Sequence, residues 1–252
     1  MKKLTSTISC ALILLLMLSL TQIRTSVKAA SNTIKVPQQY QTIQEAINHA
    51  TEGDTIQVSP KTYYENIIVN KTVSIIGENR TSTIIDGNQN ENVIYVKANN
   101  VLISGFTLQN GTNGIWLYYS QNCTISGNNM NDNAYGIKLY HSSNSTIREN
   151  NVTNNEEFGI TLQYSGKCTL KNNTLVDNHH NFGVDGATLY DFINDIDTSN
   201  TVNGKPIYYL LNQTNLTIDS STFPEIGYLA FVNSTNINVK DLALTRNAQG
   251  IL

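Results

Sequence analysis

The sequence predicts an all-β fold, a solenoid of parallel sheets or β-helix, on three observations. Apolar residues recur every 22–23 positions, each period holds three short β-prone runs parted by Asn, Gly and Asp turns, and polar turn-formers dominate the composition. The 252 residues include 35 Asn, 28 Thr and 19 Ser; Asn and Ser compete with the helix backbone for hydrogen bonds, and Thr is β-branched. Ile103, Ile125, Ile147 and Leu170 are spaced by 22, 22 and 23 residues. Gly114-Ile115-Trp116-Leu117 returns as Gly136-Ile137-Lys138-Leu139, as Gly159-Ile160-Thr161-Leu162, and weakly as Gly183-Val184. A unit this small cannot bury its own apolar face, so units must stack.

In chain order, Met1-Lys2-Lys3, the apolar residues 8–20 and Val27-Lys28-Ala29 read as a secretory signal over residues 1–29, cleaved after Ala29 or, alternatively, Ala30. The expectation is an exported protein: secreted, periplasmic or on the cell surface. The remaining 12 basic and 19 acidic residues leave a charge of −7, which carries no footprint for nucleic acid. Three cysteines exclude a disulfide-dense scaffold. Ten Asn-x-Ser/Thr sequons, at Asn70, Asn79, Asn110, Asn122, Asn144, Asn151, Asn172, Asn212, Asn215 and Asn233, leave glycosylation open.

Residues 30–98 read as an N-terminal cap with irregular first coils. Ile43, Ala46, Ile47 and Ala50 follow the i, i+3, i+4, i+7 stripe of a short helix that would cover the open first coil. Residues 99–186 are regular coils of 22–24 residues. Residues 187–227 read as an insertion, with a hairpin at Asn203-Gly204. Residues 228–252 read as a resumed coil, repeating the offsets of 122–139 and stopping inside a strand. A fragment of a longer protein, or a further domain or partner covering the last coil, is the expectation there.

Aligned coils give columns. Leu108, Met130, Val152, Leu175 and Leu244 should face inward, as should Val101, Cys123, Ser145, Cys168 and Ile237. Cys123 and Cys168, two coils apart, would lie about 9.6 Å from one another, too far for a disulfide. They should be buried thiols. Phe106, Asn128, Asn150, Asn173 and Leu242 form a column whose asparagines should stack as an amide ladder at a bend.

The run Tyr40-x-Thr42-Ile43-Gln44-x-Ala46-Ile47, then Gly53-Asp54-Thr55-Ile56-x-Val58 and Tyr64-x-Asn66-Ile67-x-Val69, resembles the opening of pectin-lyase-like right-handed parallel β-helix proteins. The Gly-Ile-x-Leu units and the segment 200–208 resemble the NosD-like subgroup, also described as carbohydrate-binding and sugar-hydrolase domains. The resemblance implies a right-handed solenoid and three functions. A pectate-lyase-like site needs clustered acids beside an Arg or Lys, whereas Asp132, Asp177 and Glu149 are scattered. A polygalacturonase-like site needs paired Asp and Gly-His-Gly, and neither stands here. Asp191-Phe192-Ile193 resembles part of a pectin-methylesterase motif without its companion segment. The sequence thus assigns no catalytic residue. The NosD resemblance implies a role in copper-site maturation, with His141, His179, His180, Met130, Cys123 and Cys168 as candidate ligands, and Asp195-x-Asp197-x-Ser199 lacks the turn Gly of a Ca²⁺ loop. No metal site and no cofactor are expected.

One surface feature remains. If Ile115 and Leu117 face inward, then Trp116, Lys138, Thr161 and Ala230 face outward, with Tyr118, Tyr119, Tyr140, His141 and Tyr164 just beyond. Trp116, Tyr118, Lys138, Tyr140, His141 and Tyr164 are the candidate ligand-binding residues, a platform on which sugar rings of a polysaccharide or cell-envelope glycan would stack. The expected function is a non-catalytic, exported carbohydrate-binding module. The alternatives are a periplasmic accessory protein for copper-site maturation, or a polysaccharide lyase or hydrolase whose site lies beyond Leu252.

Overall fold

Each period of the sequence makes one turn of a parallel β-solenoid. The structure, a computed structural model, describes residues 31–223 and 225–249; the expected signal over residues 1–29, with Cys10, and residues 250–252 lie outside the described residues. One coil gives Thr124–Ser126 to a first sheet, Asn129–Asn131 to a second and Tyr135–Tyr140 to a third. Among the described residues these sheets hold eight, nine and six strands. Ile103, Ile125, Ile147 and Leu170 are direct partners in successive coils, as are Leu108, Met130, Val152 and Leu175. Ile115, Ile137, Ile160 and Phe182 form the equivalent row of the third sheet. All twelve are at most 1% exposed, and each such side chain contributes about 1.5–3 kcal/mol by leaving water.

The corners are where the asparagines go. Asn128, Asn150, Asn173 and also Asn200 are stacked and buried. Each Oδ1 accepts from the backbone N–H one coil back: Phe106 to Asn128 at 3.0 Å, Asn128 to Asn150 at 3.1 Å, Asn150 to Asn173 at 3.2 Å. Each Nδ2 donates to a carbonyl of the preceding coil, as Asn150 does to Ile125 at 3.0 Å. A second ladder of Asn133, Asn155 and Asn178 serves the next corner, and Ser120, Ser142 and Ser165 serve the third. The bends would otherwise leave buried backbone groups unpaired, at about 1–3 kcal/mol each.

The helix Ile43–His49 packs against strands Thr33–Val36, Thr55–Val58 and Ile67–Val69, with Ile43, Ala46 and Ile47 fully buried. Both of its ends are held from outside the helix. The Glu65 carboxylate accepts from the Ile43 and Gln44 N–H groups, and Lys71 Nζ donates to the carbonyls of Ile47, Asn48 and Ala50, each charge matched to the helix dipole.

Beyond residue 186 the structure departs from a simple insertion. Asp195–Ile196 and Thr201–Val202 continue the first and second sheets. Asn203 (φ 49°) and Gly204 (φ 79°) turn the chain into the antiparallel strand Lys205–Leu211. Stacking then resumes at a 21-residue step: Lys205–Leu211 pairs with Tyr228–Val232, and Thr214–Ile218 with Thr235–Val239. Leu244 and Ile237, aligned above with the main inward columns, are instead half-buried; Ile237 pairs with Leu216. Leu242 and Leu244 pack on a separate small cluster around Ile218, Ile226 and Leu229. The reversal at Asn203-Gly204 restarts the register, so offsets counted from the earlier coils no longer select the same face.

Cys123 and Cys168 are free, unbridged and at most 1% exposed. Burial pushes both thiols up to about 11. At pH 8 a folded chain lacking residues 1–29 is expected to resist iodoacetamide at least about a hundredfold longer than a free thiol, because both thiolate fraction and access are lost. Unfolding should release two reactive thiols by intact mass; prompt labelling of the folded chain would contradict their burial.

Candidate functional site

The corner between the third and first sheets is turned by Tyr119, His141 and Tyr164, at φ 51°, 50° and 51°. Most of the left-handed positions of this chain are Asn, Asp or Gly, which adopt that conformation at little cost. A bulky side chain there costs about 1–2 kcal/mol, and three coils in a row accept that cost. Stacking offsets part of it: Tyr119–His141 centroids lie 4.7 Å apart at 14° and His141–Tyr164 4.9 Å apart at 10°, with aromatic pairs worth about 0.5–1.5 kcal/mol each. Tyr119 remains 56% exposed.

All six candidate residues meet on this side of the solenoid. Tyr118 stacks on Tyr140 at 5.6 Å and 8°, Trp116 meets Tyr118 edge-on at 5.2 Å, and Tyr140 lies 4.5 Å from His141 and 5.7 Å from Tyr164. Lys138 Nζ sits 5.6 Å over Trp116 and 4.6 Å over Tyr135, and burial lowers its pKa. The rings stack mainly on one another along the solenoid. They form ladders rather than one flat tabletop.

Four aromatic members escaped sequence reasoning. Tyr95 stacks on Trp116 at 4.8 Å; the alternation Ile94-Tyr95-Val96 was its signal. Tyr135, Phe158 and His180 form another ladder, at 5.6 and 5.0 Å; Tyr135 and Phe158 precede the Gly of Gly-Ile-x-Leu. Two expected outward residues are buried. Thr161 is 3% exposed, and its row neighbour Gly183 is covered by Ala248 and by the Phe158 ring. Ala230 is fully buried and faces the main core, because its strand is covered on both faces. Asn113 Oδ1, Trp116 Nε1 and His180 Nδ1, all on the outward rows of this sheet, are buried atoms without a hydrogen-bond partner.

The motif fragments resolve as structural devices. Asp191 Oδ2 accepts from the Ala187 and Thr188 N–H groups and the Thr188 hydroxyl, fixing the turn into Leu189–Phe192. Burial opposes its ionisation, but those bonds hold the carboxyl below its usual range. Asp195 pairs with Lys171 at 3.2 Å, Asp197 accepts from Ser199, and Asn200 belongs to the amide ladder. Asp132 and Asp177 stand two coils apart, and Asp177 is paired with Arg246 at 3.0 Å.

The comparisons fit this architecture. Residues 26–200 match the family described as periplasmic copper-binding protein (NosD). The chain belongs to the NosD family. Over 78 residues, 30% of this chain and 13% of the relative, it is 44% identical to a cell surface glycoprotein of Methanothermus fervidus. An alginate lyase from Paenibacillus superposes with a TM-score of 0.51 at 12% identity, over 87% of this chain and 99% of that one. A tailspike protein of Acinetobacter baumannii bacteriophage Fri1, a capsular polysaccharide depolymerase, superposes with a TM-score of 0.50 at 14% identity, over 84% and 46%. At these identities the likeness is one of fold.

The copper in the NosD description does not fit the described residues. No three His, Cys, Asp or Glu side chains converge among them. Met130, Cys123 and Cys168 are buried in the core. His141 is stacked between two tyrosines, and His180 lies against Phe158 and His179.

Proposed function

We propose that this NosD-family chain is an exported, non-catalytic carbohydrate-binding module that holds a cell-envelope glycan against its aromatic face. The observation that carries the reading is the Tyr119–His141–Tyr164 column, bulky rings held at positive φ where Asn or Gly would be unstrained; such strain concentrates at functional sites. Phenol hydroxyls interleaved with ring edges suit a pyranose, which carries C–H patches and hydroxyls side by side. The cell-surface relative and the polysaccharide-active structural neighbours support export and a glycan ligand.

The test is affinity electrophoresis of the mature protein through gels containing single polysaccharides. Trp116→Ala and Tyr119→Ala are each expected to weaken retardation at least tenfold in apparent Kd, about 1.4 kcal/mol, with the thermal transition retained. Tyr119 is the cleaner probe because it is the more exposed. Equal retardation of both variants and wild type would remove the aromatic face from the function.

A further inference from the structure

Beside the aromatic face, at the corner between the second and third sheets, runs a polar trough. One stretch of about 490 Å³ is lined by Asn90, Asn110, Asp132, Asn154 and Glu156 among others. A second, of about 590 Å³, shares Asn154 and Glu156 and continues to Asp177 and Arg246. Asn110, Asp132, Asn154 and Asp177 occupy the same left-handed position in four successive coils, at φ 55–56°. They recur about every 4.8 Å, close to the length of one sugar residue in an extended chain. The trough borders the Tyr135–Phe158–His180 ladder: Ala134, which lines it, directly precedes Tyr135. Asn113, next in sequence to the lining residue Thr112, is 4% exposed and has an unpartnered Oδ1.

The charges in the trough are one-sided. Arg246 is paired with Asp177 at 3.0 Å. Asp132 and Glu156 enter no ion pair among the described residues. Asp86, which lines neither stretch, is engaged within the protein, its carboxylate accepting from Gln109, Asn110 and Asn88. Uncompensated carboxylates accept strongly from hydroxyl groups and repel a polyanion.

We infer that this trough is a second contact surface for the same glycan, running along the solenoid axis, and that it selects a non-acidic polysaccharide against polyuronates. The inference rests on the carbohydrate-binding reading and adds the ligand's charge class and a second set of contacts. The structural neighbour named as an alginate lyase gives no reason to expect this, since alginate is a polyuronate.

The experiment places wild type, Trp116→Ala and the double variant Asp132→Asn/Glu156→Gln in gels of galactomannan, mixed-linkage β-glucan, alginate and polygalacturonate, at low and physiological salt. Both acids are exposed, so the double variant keeps the fold, checked by its melting transition. Wild type should be retarded by a neutral polymer and by neither polyuronate, and the double variant should bind the neutral polymer at least fivefold more weakly. Retardation by a polyuronate, sensitive to Trp116→Ala, would overturn the charge selection while the aromatic-face reading stands. A double variant with wild-type affinity beside a weakened Trp116→Ala would remove the trough alone. Wild-type mobility unchanged in every gel would end both readings.

Discussion

Asn150→Ala is expected to lower the unfolding free energy by about 3 kcal/mol, a large share of the roughly 5–15 kcal/mol available to a domain. The carboxamide is fully buried and works in both directions. Its Oδ1 accepts the Asn128 N–H at 3.1 Å and Asn128 Nδ2 at 3.3 Å; its Nδ2 donates to the Ile125 carbonyl at 3.0 Å and to Asn173 Oδ1 at 3.0 Å. Truncation strands a backbone N–H and weakens a carbonyl where water does not reach, at about 1–3 kcal/mol per unsatisfied group. Asn150→Leu separates hydrogen bonding from volume. Phe106 heads the same column, so an apolar side chain fits the corner sterically. Leucine should therefore restore packing and still leave the protein destabilised by at least about 2 kcal/mol. The exposed neighbour Thr174→Ala should shift stability by no more than about 0.5 kcal/mol. Urea midpoints at constant m would decide it; Asn150→Leu as stable as wild type would show the ladder to be filler.

The legible part of this protein is what repeats. Period, parallel stacking and inward columns follow from residues 99–186 because every coil poses the same burial problem and solves it with the same residue types. The Asn128–Asn150–Asn173 ladder could be read because Phe106 marked that column as inward. The ladder of Asn133, Asn155 and Asn178 had no apolar member to mark it, and serine at Ser120, Ser142 and Ser165 is uninformative alone. The inward columns did not extend to Ile237 and Leu244 for a different reason. A two-residue turn reversed the chain and reset the register, and alternation carries no memory of which face was inside. The site was half legible. Alternation placed Trp116 and Lys138 outside, with the tyrosines just beyond, but it also placed the buried Thr161 and Ala230 there. The ladder geometry of the rings depends on side-chain rotamers that spacing does not encode. The positive φ of Tyr119, His141 and Tyr164 had no signature in residue type.

Gly136→Ala is expected to cost about 2–3 kcal/mol, although glycine in a strand is ordinarily a weakness. A Cβ there would collide with Val152 Cγ1 and stand 2.6 Å from the Gly159 carbonyl oxygen and 3.1 Å from Asn155 Nδ2. Gly114 and Gly159 meet the same kinds of neighbour: a backbone carbonyl of the next coil at 2.7 and 2.5 Å, and the amide of Asn133 or Asn178. The Gly of Gly-Ile-x-Leu and the second asparagine ladder are thus one device. The corner closes tightly enough for an amide to bridge coils only where the adjoining residue has no side chain. Backbone and a buried amide must both give way in the alanine variant, which places it at the upper end of overpacking costs. Gly127 offers the contrast: φ is +65°, and nothing stands within 4 Å of a built Cβ. Asn172, two coils on from Gly127, already adopts φ 56°, so Gly127→Asn should fold with a change of no more than about 0.5 kcal/mol. Thermal and urea unfolding of the two variants, side by side, test whether close approach or backbone conformation dictates glycine in this solenoid. A Gly127→Asn loss as large as that of Gly136→Ala would reverse the assignment.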